Sequence, residues 1–251
     1  LPQGASVIAP SEVELPGEMY TDAYGMQPHT PARAMTGEDL RATAEEYVQA
    51  AKNAVEAGCD GVEIHAANGY LLEQFIHPHT NRREDEYGGS IEKRCSFVLE
   101  VVRQCCDAIG KEKVGIRLSP FGTFNDMPHY DETDETYSYL ARELEKIGLL
   151  YMHLADMSGM GGPAIPRELK ETMSNSFGGA VILCGDYDKA RAEEDLEQEI
   201  ADLVAFGRPF IGNPDFVERL KNDWPLAAPD METFYTPGEK GYSDYPPHTA
   251  S

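Results

Sequence analysis

The stretch "GVEIHAANGYLLEQF", Gly61 to Phe75, joins a short apolar segment to a cluster of polar side chains. The apolar part is typical of a strand that ends near His65, and we expect a helix to start near Asn68. His65, Asn68 and Tyr70 would then point into one pocket at the end of that strand. His and Asn can donate hydrogen bonds to a carbonyl or nitro oxygen, and a tyrosine can supply a proton. Each residue alone also fits an ordinary packing or capping role, but the three together favour a site.

The same alternation of apolar strand and amphipathic helix occurs five times along the chain. Strands are expected at residues 59–66, 114–119, 149–155, 180–185 and 200–207. Helices are expected at residues 36–58, 90–109, 134–148, 166–176, 186–199 and 214–223. The strands are continuous apolar runs, as in parallel sheets that are buried on both faces. This pattern predicts an α/β fold.

Polar residues and glycines recur at the predicted carboxyl ends of these strands, where ligands bind in parallel α/β folds. Arg117 ends the second strand, and its guanidinium needs an anionic or electron-rich partner. The edge of a flavin ring would serve, and a salt bridge to a nearby carboxylate is an equally good alternative. Gly185 and Gly207 end the last two strands before helices, with Arg208 adjacent, which favours a phosphate site. The chain has no GxGxxG or Walker sequence.

The composition excludes several classes of protein. The net charge of −23 over 251 residues argues against nucleic acid and anionic membranes as partners. The sequence contains no run of eighteen apolar residues, so we expect no membrane span. The first residues lack the pattern of a signal peptide. The five cysteines match no CxxC spacing, so neither a disulfide framework nor a zinc site is expected, and we expect no metal. A cytoplasmic location follows as the expectation.

Three other segments have open interpretations. Residues 1–35 are expected to be an extended surface segment, and residues 228–251 a closing tail. Phe234 and Tyr235 in that tail could cover a planar cofactor or anchor the terminus by packing. The charged stretch at residues 81–94 is best explained as a loop held by ion pairs, and Trp224 as a packing residue.

Six motifs occur in order over most of the chain: "HAANGYLLEQF", "NRREDEYGGSIEKR", "VGIRLSP", "LCGDYDKARA", "AFGRPFIGNPD" and "TFY…GYSDYP". Together they resemble the old yellow enzyme family of FMN-dependent ene-reductases, within it the group of morphinone and oxophytodienoate reductases. The resemblance implies a TIM-type (β/α)8 barrel with FMN at its C-terminal face. It also implies a ping-pong reaction in which NADPH or NADH reduces FMN, which then reduces the C=C bond of an α,β-unsaturated carbonyl or nitro compound.

The resemblance also assigns roles to individual residues. His65 and Asn68 match the pair that binds the substrate oxygen, and Tyr70 matches the proton donor to the α-carbon. Arg117 matches the residue at the N1/O2 edge of the flavin. The positions that bind the FMN phosphate are matched by Gly185, Gly207 and Arg208. Tyr235, with Phe234 beside it, matches an aromatic residue of the tail that lies over the active site.

The chain departs from the family pattern at its start. Members begin with three further strands, carrying "APLTR"-like and "QLWHxGR"-like segments, which are absent from this sequence. The five predicted strands match the last five of the family. We therefore expect residues 1–251 to be one N-terminally incomplete barrel domain, completed by a complementing N-terminal segment or by a homo-oligomer.

Two other functions compete with the ene-reductase. One is a truncated, non-catalytic homologue or partial subunit that does not bind FMN on its own. The other is a different phosphate-binding barrel enzyme, such as an aldolase or isomerase. That enzyme would need a lysine or carboxylate at a strand end; Glu63 is available, but no lysine is.

Overall fold

A computed structural model of the chain describes residues 5–249. The strands are β1 (Val7–Ala9), β2 (Glu18–Thr21), β3 (Gly25–Pro28), β4 (Ala32–Ala34), β5 (Val62–Ala66), β6 (Val114–Leu118), β7 (Tyr151–Ala155), β8 (Ala180–Cys184) and β9 (Leu203–Ala205). The α-helices are α1 (Gly37–Glu56), α2 (Leu71–Ile76), α3 (Ile91–Ile109), α4 (Thr133–Ile147), α5 (Arg167–Asn175), α6 (Lys189–Glu197), α7 (Arg208–Ile211) and α8 (Phe216–Lys221). Short 3₁₀ turns lie at residues 111–113, 158–160 and 231–233.

The centre of the fold is a five-stranded parallel sheet in the order β5-β6-β7-β8-β9. Its strands are the five predicted from apolar runs, so the α/β prediction is confirmed. Each strand follows the previous one in space as in sequence, with helices in the connections. Such sequential parallel order is how the wall of a (β/α) barrel is built.

The two faces of the sheet differ in chemistry. One face is apolar and lies against the helices, with residues such as Ile64, Ile116, Met152 and Leu183 almost fully buried. Residues paired across a parallel sheet point to the same side. The pairs His65–Arg117 and Arg117–His153 therefore place three polar side chains in one row on the opposite face, which we call the inner face.

The helices form a layer over the apolar face. Contacts run from α1 to α3, from α3 to α4 and from α4 to α5, and α2 packs against α3. The centre of this layer is α3, whose buried residues include Phe97, Val98 and Val101. The Phe75 ring of α2 lies 4.5 Å from the Phe97 ring, measured between centroids. The rigid layer fixes the position of α2 and of the turn that precedes it.

Residues before α1 are more regular than the sequence indicated. The predicted extended segment contains a parallel pair, β1 with β4, and an antiparallel hairpin of β2 and β3. Gly25, with φ of +66°, helps to close the hairpin. These short pairings escape prediction because their strands have only three or four residues, too few to show a periodic pattern. Residues 1–4 and 250–251 of the two predicted terminal segments lie outside the described residues.

Candidate active site

The turn between β5 and α2 brings two of the predicted site residues together. Asn68 and Gly69 both have positive φ, +58° and +71°, so the chain reverses sharply after the strand. The helix consequently begins at Leu71, three residues later than the sequence indicated, with Tyr70 at its N-cap. The reversal places the Tyr70 ring beside the His65 ring, with 5.0 Å between centroids and a tilt of 52°.

The backbone of this turn is held from the next strand. The Asn68 N–H donates to Ser119 Oγ at 2.7 Å, and Ser119 directly follows β6. The Asn68 carbonyl accepts from Asn125 Nδ2 at 2.9 Å. A side chain at Gly69 would collide with the same loop, since its Cβ would lie 2.6 Å from the Phe124 carbonyl oxygen. The loop after β6 therefore requires a glycine here and fixes the turn.

The Asn68 side chain has an unmet hydrogen-bonding requirement. Its Oδ1 is buried and has no hydrogen-bond partner among the described residues. Leaving a buried polar atom without a partner costs about 1–3 kcal/mol. Such atoms deserve a functional explanation, and a bound molecule with a donor group would supply the missing partner.

His65 lies where a neutral imidazole is favoured. Partial burial lowers its pKa, and the nearby positive charge of Arg117 lowers it further. Glu63, two residues earlier on the same strand, opposes this effect. At neutral pH His65 is therefore a neutral group with one N–H to donate.

Arg117 lies at the centre of the inner face. Its Nη1 is 3.1 Å and 3.2 Å from the two ring nitrogens of His153, and its Nη2 is 3.9 Å from Cys184 Sγ. His153 Nδ1 lies 2.9 Å from Glu63 Oε2. Arg117 is therefore connected to a carboxylate through His153. A carboxylate is therefore nearby, but among the described residues it does not form the direct salt bridge with Arg117 that was one alternative, and the flavin edge as its partner stays a prediction.

The charges in this cluster depend on one another. Burial lowers the pKa of His153, but hydrogen bonds with Cys184 and Glu63 outweigh it and leave that pKa raised. Burial would raise the pKa of Glu63, but the bond to His153 prevails and the pKa of Glu63 is lowered. The pKa of Cys184 is lowered, mainly by its hydrogen bond with His153. The inner face thus holds a hydrogen-bonded His153–Glu63 pair beside the Arg117 guanidinium.

The predicted phosphate positions lie at neighbouring strand ends, because β8 pairs with β9 through Cys184 and Ala205. Gly185 has φ of +134°, and a Cβ there would lie 2.3 Å from the Asp156 carbonyl oxygen. Gly185 is therefore required for close packing. At Gly207 an added Cβ would meet no atom within 4 Å. Arg208 begins α7 and donates from Nη1 to the Gly159 carbonyl at 3.2 Å.

The tail aromatics are not part of this arrangement in the structure. Tyr235 is 98% exposed, and Phe234 is half-buried with its ring 6.5 Å from that of Tyr235. The described ring contacts of His65 and Tyr70 do not include either of them. A position for Tyr235 over the site remains a prediction.

Sequence reasoning did not identify two contributors to the site. Glu73 is 3% exposed and contacts the Asn68 turn from α2. Cys184 lies beside Arg117 on the inner face. The signal for Glu73 was its position among apolar residues in "LLEQF", where a carboxylate would normally face solvent. Cys184 is the last residue of the apolar strand β8 and gave no comparable signal.

Two kinds of feature are absent from residues 5–249, a metal-binding cluster and a membrane-spanning helix. No group of three His, Cys, Asp or Glu side chains has a geometry that could hold a metal ion. Within the same range, every helix is too short or too polar to cross a membrane.

Comparison with known proteins identifies the fold. Residues 6–227 match the model of the NADH:flavin oxidoreductase / NADH oxidase family. The solved structure of morphinone reductase in complex with tetrahydroNAD superposes with a TM-score of 0.91 at 42% identity, covering 99% of this chain and 68% of that one. An old yellow enzyme homologue from Zymomonas mobilis gives a TM-score of 0.90 at 36% identity. The five-stranded sheet therefore corresponds to part of the TIM-type barrel that the resemblance implied.

Curated relatives show the same relationship. The chain is 38% identical over 249 residues to a putative 12-oxophytodienoate reductase of Oryza sativa subsp. japonica, covering 98% of this chain and 67% of the relative. It is 38% identical to a probable flavin mononucleotide-dependent alkene reductase of Leishmania infantum, covering 97% and 67%. Chanoclavine-I aldehyde reductase of Penicillium roqueforti is 42% identical over 220 residues, which cover 85% of this chain and 59% of that relative.

The chain thus spans about two thirds of the length of the first two relatives and 59% of the third. The matches run through the turn after β5, the inner face and the two glycine-ended strands. The chain belongs to the NADH:flavin oxidoreductase / NADH oxidase family, the old yellow enzymes, which are FMN-dependent oxidoreductases.

Proposed function

We propose that this chain provides the substrate-facing side of an ene-reductase, which reduces the C=C bond of α,β-unsaturated carbonyl or nitro compounds with NADPH or NADH. The observation that carries the proposal is the turn after β5. It holds the His65 and Tyr70 rings 5.0 Å apart, with the Asn68 amide between them in sequence. A neutral donor pair and a phenol at one strand end suit a substrate whose oxygen gains negative charge.

The residues present fit FMN. Arg117 offers a fixed positive charge on the inner face, which suits an electron-rich ring edge. Beside Gly207 there is open space, and Arg208 offers charge for a phosphate. The unpartnered Asn68 Oδ1 indicates that the polar groups here are incomplete without a ligand. When bound, FMN supplies the hydride chemistry that no side chain of this protein can perform.

The protein's own residues have three tasks in this proposal. His65 and Asn68 hold the substrate oxygen and stabilise the charge that develops on it. Tyr70 donates its phenolic proton to the α-carbon, and its half-exposed side chain leaves the hydroxyl accessible. Arg117, connected to Glu63 through His153, keeps a positive charge at the floor of the site.

The experiment that tests the proposal is anaerobic absorption spectroscopy of the purified chain with FMN. We expect a retained flavin band that bleaches on addition of NADPH and returns on addition of 2-cyclohexenone. In a variant carrying His65→Gln and Asn68→Ala, the bleaching should persist and the return with the enone should slow by about 10²-fold. His248→Gln is the matched control, because that imidazole packs against Trp224 instead.

A second candidate is the homologue that does not bind FMN on its own. The feature that favours it is the openness of the inner face, where Leu203 is 54% exposed and Glu63 is also exposed. A partner covering this face, either a complementing N-terminal segment or a second copy of the chain, remains a prediction, as does a cytoplasmic location. If the purified chain retains no flavin and reduces no enone, the second candidate replaces the first.

A further inference from the structure

Glu73 is a buried carboxylate at the back of the candidate site. It lies in the first turn of α2 and is only 3% exposed. Three groups donate hydrogen bonds to it: the Gly69 N–H at 2.5 Å, the Ser119 hydroxyl at 2.7 Å and the Tyr137 hydroxyl at 2.8 Å. These donors come from the turn after β5, the end of β6 and helix α4. One side chain therefore joins three separate elements at the position where they meet.

Glu73 is connected to both peptide N–H groups of the left-handed turn, to one directly and to the other through Ser119. The Gly69 N–H donates to Glu73 directly, and the Asn68 N–H donates to Ser119, whose hydroxyl donates to Glu73. The two carbonyls are held by amide side chains: Asn125 bonds to the Asn68 oxygen and Gln74 bonds to the Gly69 oxygen. Every backbone polar group of these two residues thus has a side-chain partner.

We propose that Glu73 is a positioning residue for the reaction, which fixes the Asn68–Gly69 turn and thereby the placement of the Asn68 amide and the Tyr70 phenol. The part of this inference that concerns catalysis rests on the proposed function. Its structural content, that the carboxylate orders the turn, can be tested separately. A shift of about 1 Å in a site residue can cost on the order of 10²-fold in rate, so such a restraint is significant.

The restraint depends on the charge of Glu73. Three donors point at two carboxylate oxygens, so the ionised form satisfies all of them. A protonated carboxyl or an amide would form neutral hydrogen bonds, which are weaker than charge-assisted ones, and a hydroxyl partner would have to accept instead of donate. Burial raises the pKa of Glu73 to about 7, against the opposing effect of the bonds from Gly69, Ser119 and Tyr137. The group therefore changes charge near neutral pH.

The other titratable groups around Glu73 keep their charge in that range. Burial raises the pKa values of Tyr130 and Tyr137 far above neutrality. On α3, burial raises the pKa of the Cys95 thiol to about 12, and Arg94 is held by Glu132 and the Ile76 carbonyl. At the end of α2, burial lowers the pKa of His77 to about 4. The pKa of His65 is lowered, so His65 titrates on the acid side of Glu73.

Activity and stability should respond to this titration in opposite directions. Because the pKa is raised in the folded state, the stabilising contribution of protonated Glu73 is complete below its ordinary pKa. It is lost as pH rises through about 7. The ordered turn, by contrast, requires the carboxylate and should form as pH rises through the same range. A residue that only stabilised the fold would move both quantities together.

The test compares the full chain with Glu73→Gln and with Tyr137→Phe. The control variant removes one donor to the same carboxylate but leaves both connections to the turn. Hydrogen exchange at the Asn68 and Gly69 amides, corrected for intrinsic rates, reports on the turn without requiring activity. From about pH 6 to about pH 8 we expect protection to rise about 10-fold in the wild type and to stay low and flat in Glu73→Gln. In Tyr137→Phe the same rise should occur at higher pH, because the lost hydrogen bond had lowered the pKa of Glu73.

The role of Glu73 in catalysis is tested in the same samples by the pH profile of kcat/KM for 2-cyclohexenone. We expect an ascending limb with a midpoint near 7 in the wild type, and a flat profile reduced about 10-fold in Glu73→Gln. Equal protection of the two amides in wild type and Glu73→Gln would overturn the inference. A turn that responds as expected in a chain that neither binds FMN nor reduces the enone would instead overturn the proposed function.

Discussion

At the scale of single residues, two left-handed backbone positions decide the chemistry of the site. Asn tolerates positive φ better than most residues, and Gly69 has the freedom that the crowded loop after β6 demands. Together they reverse the chain between His65 and Tyr70. Without the reversal, α2 would carry the Tyr70 ring away from the strand. The two rings meet because of the backbone between them.

The role of the phenol can be tested by Tyr70→Phe. The ring should still pack beside His65, so FMN binding and bleaching by NADPH should remain within about threefold. Reduction of the enone should fall by about 10²-fold, because proton donation is lost while oxygen binding is retained. Stopped-flow absorbance separates the two half-reactions, and Tyr242→Phe, at a ring that is 86% exposed, is the control. Equal loss in both half-reactions would contradict a role as proton donor.

At the scale of elements, the two longest helices begin with hydroxyl residues that behave differently. Thr36 accepts from the Asp39 N–H at 3.2 Å, and Asp39 accepts in turn from the Thr36 N–H at 2.7 Å. This reciprocal capping box ties α1 to the preceding β4 through Arg33, which pairs with Asp39. Ser90 occupies the equivalent position before α3, but its side chain makes no capping hydrogen bond.

The two caps form a matched pair of variants. Thr36→Ala should reduce the free energy of unfolding by about 1 kcal/mol, because it leaves an N–H of the first turn without its partner. Ser90→Ala should change that free energy by less than about 0.5 kcal/mol, since no capping bond is lost. Urea unfolding followed by circular dichroism measures both. If the two variants cost the same, the capping box does not contribute to the stability of α1.

At the scale of the whole molecule, the net charge of −23 is a persistent source of repulsion. Acidic residues outnumber basic ones by 44 to 21, so surface ion pairs such as Lys146–Glu143 can neutralise only a minority of them. Excess charge of one sign destabilises a compact state. Salt screens exposed charges beyond about 10 Å at 0.1 M, so the repulsion should be sensitive to ionic strength.

We therefore expect sodium chloride to stabilise the chain. Between about 10 mM and about 200 mM, the melting temperature should rise by about 2–5 °C. The increment should shrink at about pH 5.5, where the chain approaches its isoelectric point and carries less net charge. Differential scanning calorimetry at the two pH values measures both effects. A melting temperature that is independent of salt at neutral pH would show that the charges are dispersed enough not to repel.

Local patterns in the sequence determined most of the architecture. The five apolar runs became β5 to β9, and the amphipathic segments with capping residues became α1, α3 and α4 within about two residues. These predictions succeed because strand and helix period depend on neighbouring residues. The order of the motifs likewise placed His65, Asn68, Tyr70 and Arg117 near strand ends, where the structure has them.

The tertiary structure alone decided which side chains meet and in what state of charge. Glu73 contacts Ser119 and Tyr137, which are 46 and 64 residues away in sequence, and only that enclosure makes it a buried carboxylate. His153 reaches Glu63 across 90 residues, because both lie on the inner face of the sheet. Local periodicity carries no information about contacts of this range. Burial and charge therefore follow from how the strands and helices pack, and for these long-range contacts the sequence by itself supplied only the residues.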